Sequence, residues 1–281
     1  MLDHKTDADW ETFGAQDPYW AVLTNDRFKK SNMDEQALRQ FFTSGQEYVD
    51  WAFSVIHEHI QEGFSPRRAL DFGCGVGRLL APIASKAEQA VGIDISESML
   101  REAAKVCEAR KLKNVTLLRG DDALSKLSGT FDFINSFIVL QHIPCVRGVA
   151  IFRRLVDLLA EDGVGAIHVT FSKGTGVSKL PESAYAWPPL DGLRTHFKGC
   201  FSAIRRRLLA SARKLKSKRP DTGAPVMQMN PYNLNALFAI LQQAGAKHLH
   251  IALTNHGGTL GTVIFFRKSS TRPYVPSCLH E

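Results

Sequence analysis

Residues 68–78 read RALDFGCGVGR, and this stretch points to one architecture. A short apolar run, Arg68 to Phe72, stops at three alternating glycines, Gly73, Gly75 and Gly77, and the chain from Arg78 to Lys86 then reads as a helix. Glycine tolerates the left-handed backbone of a tight turn and lets a ligand approach the main chain closely. A helix start offers unpaired N–H groups. Strand, glycine turn and helix together open a parallel α/β unit.

Downstream, the alternation repeats. Ala90 to Ile95 reads as a second strand, Ser96 as the N-cap of a helix from Glu97 to Arg110, and Val115 to Arg119 as a third strand. Phe131 to Ser136 reads as a fourth, followed by a helix after Val146, and Gly165 to Phe171 as a fifth. Strands alternating with helices of this length imply a parallel sheet covered on both faces.

The flanks differ in character. Residues 1–62 are aromatic at first (Trp10, Phe13, Tyr19, Trp20, Phe28), and from Asp34 the apolar positions Leu38, Phe41, Val49, Phe53, Ile56 and Ile60 recur at helical spacing, which predicts a helical cap. Residues 172–229 break the α/β rhythm with glycine, proline and basic residues and read as an insertion or lid. Asn230-Pro231 then reads as an N-cap followed by proline at the first helical position, with Gly245 closing that helix. Lys247 to Thr254 and Thr259 to Arg267 flank His256-Gly257-Gly258 and read as an antiparallel pair of strands, so the core comprises residues 63–171 and 230–268, with 269–281 a tail.

Composition narrows the class. The chain has 281 residues, 44% hydrophobic and 22% charged, the balance of a globular protein. The start, MLDHKTDADWETF, has no apolar leader core, and nowhere do eighteen apolar residues run together, so a cytoplasmic protein is expected. Five cysteines (Cys74, Cys107, Cys145, Cys200, Cys278) lack CxxC spacing and predict reduced thiols. The net charge of +7 is local: the eight lysines and arginines between Arg205 and Arg219 meet no acid, and without them the remainder stands at −1.

Two ligand classes suit a glycine turn of this kind. A nicotinamide dinucleotide prefers GxGxxG, whereas Arg78 stands where the third glycine of that pattern would fall. Asp71, two residues before Gly73, would repel a pyrophosphate and favour a ligand carrying an ammonium group. Asp94, at the end of the second strand, is placed to hold ribose hydroxyls. The charge pattern therefore favours S-adenosylmethionine, which bears both an ammonium and a sulfonium.

These segments, with VGIDIS at 91–96, RGDDA at 119–123 and FIVLQHIP at 137–144, resemble the successive motifs of the class I S-adenosylmethionine-dependent methyltransferases, over roughly residues 66–171 and 230–268. The resemblance implies an α/β, Rossmann-like, doubly wound and mostly parallel seven-stranded sheet with a C-terminal antiparallel strand. It implies that Asp71, Gly73, Gly75, Gly77 and Arg78 surround the methionine part of the cofactor, with Cys74 a small apolar filler inside the loop. It places Asp94 at the ribose, Ile95 and Met99 along the adenine, and Asp121 or Asp122 with the backbone of Ala123 at the adenine amino group. The loop from Ser136 to Gln141 would pass beneath the methyl donor. GluAspGlyValGly at 161–165 departs from the usual ProGlyGly turn. AsnProTyr at 230–232 shares only its spelling with the amino-methylating AsnProProTyr, which would follow the fourth strand.

His142 is the candidate proton acceptor, since imidazole titrates near neutrality and follows the fourth strand. Tyr19 and Trp20 are candidate substrate contacts, against the plainer reading that the cap aromatics pack onto the domain. The pairs His57 with His59 and His248 with His250 lack a third ligand, so no metal is expected. Residues 197–219 read as a cationic amphipathic helix, either a solvated lid or a contact for an anionic membrane or a phosphorylated ligand, with nucleic acid disfavoured. The expected activity is methyl transfer to an oxygen or nitrogen of a small-molecule, glycan or lipid-linked substrate. The rivals are a nicotinamide-dependent oxidoreductase and a non-catalytic module tethered to membrane or RNA.

Overall fold

The computed structural model describes residues 5–173 and 224–269. The insertion from 174 to 223, including the expected basic helix at 197–219, and the tail beyond 269 lie outside the described residues.

Seven strands form one sheet in the order β3-β2-β1-β4-β5-β7-β6. They are β1 (Arg68–Phe72), β2 (Gln89–Asp94), β3 (Val115–Arg119), β4 (Phe131–Ser136), β5 (Leu159–Lys173), β6 (Ala246–His256) and β7 (Thr259–Lys268). β1 to β5 pair in parallel, and β7 runs antiparallel to both of its neighbours, β5 and β6. The chain order reverses at β1, which lies between β2 and β4, and a sheet of this kind opens its ligand crevice at that switch point, beyond the carboxyl ends of the strands.

Because successive strand residues face opposite ways, each strand feeds two cores. Ala69, Phe133, Val164, Ala166 and Phe265 meet Val49, Ala52, Phe53 and Ile56 of α3 (Glu35–His59). Leu70, Ile134, Ile167, Val169 and Phe266 face the other layer, built from α6 (Cys145–Leu158) and α7 (Leu234–Gln243). The cap comprises α1 (Lys5–Gln16), α2 (Pro18–Val22), a 3-10 turn at Asp26–Phe28 and α3, whose start is capped by Asp34 Oδ1 accepting from the Ala37 amide at 2.7 Å.

β5 begins at Leu159 and takes in residues 161–165, which read as a turn, and β6 runs two residues beyond its expected end; two further differences bear on the site. The helix after the glycine turn, α4, covers only Leu80–Ala84, because Gly73, Gly75 and Gly77 hold φ of 72°, 52° and 83° and the backbone turns before it winds. The loop itself, rather than a long helix, supplies the donors there. Asn230-Pro231 does not start α7: Asn233 caps it, accepting from the Asn235 amide. Residues 230–232 instead form an extended strap. The Asn230 amide donates to the Gln141 carbonyl, Thr170 Oγ1 donates to the Asn230 carbonyl, and the Tyr232 amide donates to the Thr170 carbonyl. These bonds outcompete helix nucleation, which returns only one bond for its first ordered turn.

The strap ends on a close fit. The buried Tyr232 hydroxyl lies 2.8 Å and 2.9 Å from the carbonyl oxygens of Leu140 and Ile143, bracing the loop that carries Gln141 and His142. A Cβ on Gly148, in the first turn of α6, would lie 1.7 Å from that hydroxyl. Alanine is the better helix former, yet Gly148→Ala is expected to destabilise the protein by about 2–3 kcal/mol by forcing Tyr232 out of place. Chemical denaturation of the two proteins checks this, and an equal or higher midpoint for Gly148→Ala would contradict the packing described.

Candidate functional site

The cleft lies above β1, β2 and β4, and its walls come from four segments. Gly73, Gly75 and Arg78 of the glycine turn form one side. Asp94, Ile95 and Met99 form the next, Asp121 and Asp122 close the far end, and Phe137, Val139 and His142 lie opposite. Trp10 and Asp7 of α1 cover it.

Asp94 is held by the backbone around it: the Gly75 amide donates to its Oδ2 at 2.9 Å and the Ser96 amide to its Oδ1 at 2.9 Å. Ser96 caps α5 (Glu97–Ala109), accepting from the Met99 amide at 3.1 Å, while its hydroxyl donates to Glu11 of α1 at 2.7 Å. Burial raises the Asp94 pKa, opposed by those amide donors. The carboxylate is thus fixed by main chain at the end of β2, facing the cleft.

Asp71 is buried more deeply, at 2% exposure, with Oδ1 accepting from Asn135 Nδ2 at 2.8 Å. Its Oδ2 has no partner among the described residues. Burial is the main cause that pushes its pKa up to about 7, against the Asn135 hydrogen bond and the Arg78 guanidinium, with Asp94 adding repulsion. Arg78 lies over the Phe41 ring and reaches Ser44 Oγ through Nη1 at 3.3 Å, while its Nε meets no acceptor among the described residues. A buried acid with an orphaned oxygen, beside a glycine turn and a second fixed carboxylate, is the donor and acceptor set that suits a ligand with an ammonium group and a ribose.

At the far end the two acids part company. Asp121 folds back to accept from the amide and hydroxyl of Ser125. Asp122 instead receives a bidentate pair from Arg147, Nε to Oδ2 at 2.8 Å and Nη2 to Oδ1 at 2.7 Å. Arg147 Nη2 also reaches Asp7 of α1 at 2.7 Å. Nothing in the spacing of the sequence signals this triad, because its members are 140 residues apart at the extremes.

His142 is 5% exposed. Its Nδ1 lies 2.7 Å from the Gln228 carbonyl oxygen, which only accepts, so Nδ1 carries the proton and Nε2 keeps its lone pair. Gln141 Nε2 lies 3.2 Å from that Nε2, and the Trp10 ring lies 4.9 Å from the imidazole between centroids. Burial drives the His142 pKa down to about 4.

Several expected residues do not line the cleft. Cys74 packs with Leu80, Ala84 and Ala90 under the loop, and Gly77 packs against Ala103 of α5. The Ala123 carbonyl accepts from Arg154 Nε. Ser136 and Gln141 are buried behind it, with Ser136 Oγ and Gln141 Oε1 unpartnered among the described residues. Tyr19 packs edge-on against Phe41 and Phe42 inside the cap, and Trp20 leans on Phe13, so the cap aromatic that reaches the cleft is Trp10. His59 and His250 stack at 4.1 Å, but among the described residues no cluster of three potential metal ligands occurs. Among the described residues no helix is long and apolar enough to cross a membrane.

A family profile described as a methyltransferase domain matches residues 69–163. Over those residues the chain is similar to a methyltransferase domain. Trans-aconitate 2-methyltransferase of Deinococcus radiodurans is 35% identical over 104 residues, 36% of this chain and 37% of that protein. Magnesium-protoporphyrin O-methyltransferase of Synechocystis is 36% identical over 115 residues, 40% of this chain and 48% of that protein. The chain thus spans about half or less of the length of these curated relatives. The crystal structure of magnesium protoporphyrin IX methyltransferase from Synechocystis with bound SAM has a TM-score of 0.54 at 19% identity, covering 96% of this chain and 99% of that one. The chain therefore shares the Rossmann-like fold of that methyltransferase, and its glycine turn and two acids fall inside the segment matched by the profile.

The raised Asp71 pKa sets a pH dependence for the domain. In the unfolded chain the group titrates near the ordinary aspartate value of 3.8, so between about pH 4 and pH 7 the folded state holds a proton that the unfolded state has released. Stability is lost as pH rises through that window. Asp71→Asn is isosteric and cannot ionise, so its thermal midpoint should exceed that of the wild type at pH 8 and converge on it as pH falls below about 4. Equal midpoints throughout would show that Asp71 is not the desolvated acid described.

Proposed function

We propose that this chain is an S-adenosylmethionine-dependent methyltransferase acting on an oxygen or nitrogen of a small-molecule substrate. The observation that carries the reading is the unpartnered Oδ2 of buried Asp71, two residues before the glycine turn whose Gly75 amide holds Asp94. Asp71 would receive the ammonium group, and Asp94 the ribose hydroxyls. Ile95 and Met99 would lie along the adenine, with Asp122, paired with Arg147, toward its amino group. When bound, the cofactor supplies the methyl group as an electrophilic carbon on a sulfonium.

The protein's own part is positioning and one proton. An acceptor hydroxyl or amine placed beside His142 would hand its proton to Nε2 as its lone pair takes the methyl carbon, leaving a neutral thioether and an imidazolium. The Gln228 carbonyl fixes the tautomer that puts the lone pair on Nε2, where a substrate donor would take the place of the Gln141 amide now 3.2 Å away. Because burial disfavours the imidazolium, the proton must pass on to water for turnover. The relatives named for trans-aconitate and magnesium protoporphyrin differ in acceptor, and what they share is a small-molecule substrate. Among the described residues, the aromatic edges of Trp10 and Phe137 favour an acceptor with a flat apolar face.

Incubation of the full chain with methyl-labelled cofactor and cell extract should label a small molecule, and complete absence of label in any fraction would count against the reading. At saturating cofactor, His142→Ala should lower kcat by roughly 10²- to 10⁴-fold while leaving cofactor affinity within a few-fold. With its pKa near 4, the base stays unprotonated from pH 5 upward, so kcat should show no break near the ordinary histidine value of 6.5. An unchanged rate in His142→Ala would remove His142 from the mechanism, and a break near 6.5 would contradict the burial-lowered pKa.

A further inference from the structure

Asp71 and Asn135 are direct partners in the sheet, on adjacent parallel strands β1 and β4. Alternation places both on the face of Ala69 and Phe133, toward α3, so their side chains stand side by side at the carboxyl end of the strands. The Asn135 carboxamide lies between two groups of opposite demand. Its Nδ2 donates to Asp71 Oδ1 at 2.8 Å, and its Oδ1 accepts from the Tyr48 hydroxyl of α3 at 3.3 Å. Tyr48 is itself held by its ring, which lies 4.0 Å from Phe137 between centroids, at 32°.

We propose that Tyr48 and Asn135 are positioning residues for Asp71, a relay from the cap helix that keeps one carboxylate oxygen occupied and presents the other to the ammonium group of the bound cofactor. The proposal rests on the cofactor assignment above and adds the part of the chain that tunes it. A carboxylate only accepts and a phenol beside a carbonyl oxygen donates, so the two ends of the amide are told apart by their neighbours. Without the Tyr48 hydroxyl the carboxamide loses the partner that opposes a flip, and a flipped amide would turn its oxygen toward Asp71. Burial raises the Tyr48 pKa well above the ordinary phenol range, so the group is a donor at every working pH.

The charged and titratable groups facing Asp71 are Cys74 and Arg78 from the turn before α4, Asp94 from β2 and Tyr48 from α3. Among the influences that favour the ionised carboxylate, the Asn135 hydrogen bond is the largest. Removing it should raise the pH at which Asp71 ionises, and cofactor binding should follow.

The test is calorimetric titration of the full chain with S-adenosylhomocysteine, which keeps the ammonium group and transfers no methyl, between pH 6 and 9. The wild type should bind, with affinity falling as pH drops below about 7. Tyr48→Phe removes one oxygen, keeps the ring on Phe137, and should weaken binding about threefold to tenfold. Asn135→Ala should weaken it further and move the pH midpoint upward. Adding Tyr48→Phe to Asn135→Ala should change nothing more, because Tyr48 acts only through Asn135. Wild-type affinity and midpoint in both single variants, or additive losses in the double, would overturn the relay while leaving the cofactor assignment intact. A wild-type chain that binds no S-adenosylhomocysteine would overturn both. If Asn135→Ala does not fold, Tyr48→Phe carries the test through its affinity and pH midpoint.

Discussion

A carboxylate buried at the carboxyl end of β1, with one oxygen hydrogen-bonded and the other unpartnered among the described residues, is the constraint from which the site follows. Burying such a group is costly, and the fold keeps the cost moderate with Asn135 from the neighbouring strand and Arg78 from the turn. It sits at the point where the strand order reverses, so the sheet opens there instead of closing over it. The glycines that follow let the backbone leave the strand without covering the acid, and Gly73 leaves no room for a side chain, since a Cβ there would lie 2.4 Å from Val139. A position that is unfavourable for the protein alone becomes favourable only when a cation arrives.

The cap belongs to the same arrangement. Glu11 of α1 accepts from the hydroxyls of Ser96 at 2.7 Å and Ser98 at 2.6 Å, which ties the cap to the start of α5, just beyond Asp94 at the end of β2. The approach is close, since a Cβ on Gly14 would lie 2.5 Å from Ser96 Oγ. At the other end, Asp7 shares Arg147 with Asp122, so α1 is fastened on both sides of the cleft it covers. Trp10, between those two fastenings, rests on His142. The cap is therefore part of the site, and its own interior is filled by Tyr19, Phe28, Phe41 and Phe42.

The strand and glycine pattern is legible in the sequence because each signal is local. Gly73, Gly75 and Gly77, the Ser96 cap and the acid at the end of β2 declare themselves within a few residues, and the parallel character of the sheet follows from the alternation. Asn230-Pro231 misleads for the opposite reason: a good local cap is overridden by bonds to Gln141 and Thr170, distant in sequence. The same distance hides Arg147 with Asp7, and Tyr48 with Asn135, since each pair meets only after the cap has docked. Tyr19 and Trp20 are sensible candidates by type, but α2 turns Ala21 and Val22 toward the cleft and leaves them to pack the cap, while α1 brings Trp10 to it. Asp121 and Asp122, equivalent as neighbours in sequence, are separated by their partners Ser125 and Arg147.

Calorimetric titration of the full chain with S-adenosylmethionine and, separately, with NAD puts the pocket itself to the test. Two carboxylates around a glycine turn that lacks the last glycine of GxGxxG predict binding of the sulfonium cofactor at about micromolar Kd and no heat from the dinucleotide. Binding of NAD with no response to S-adenosylmethionine would contradict the account.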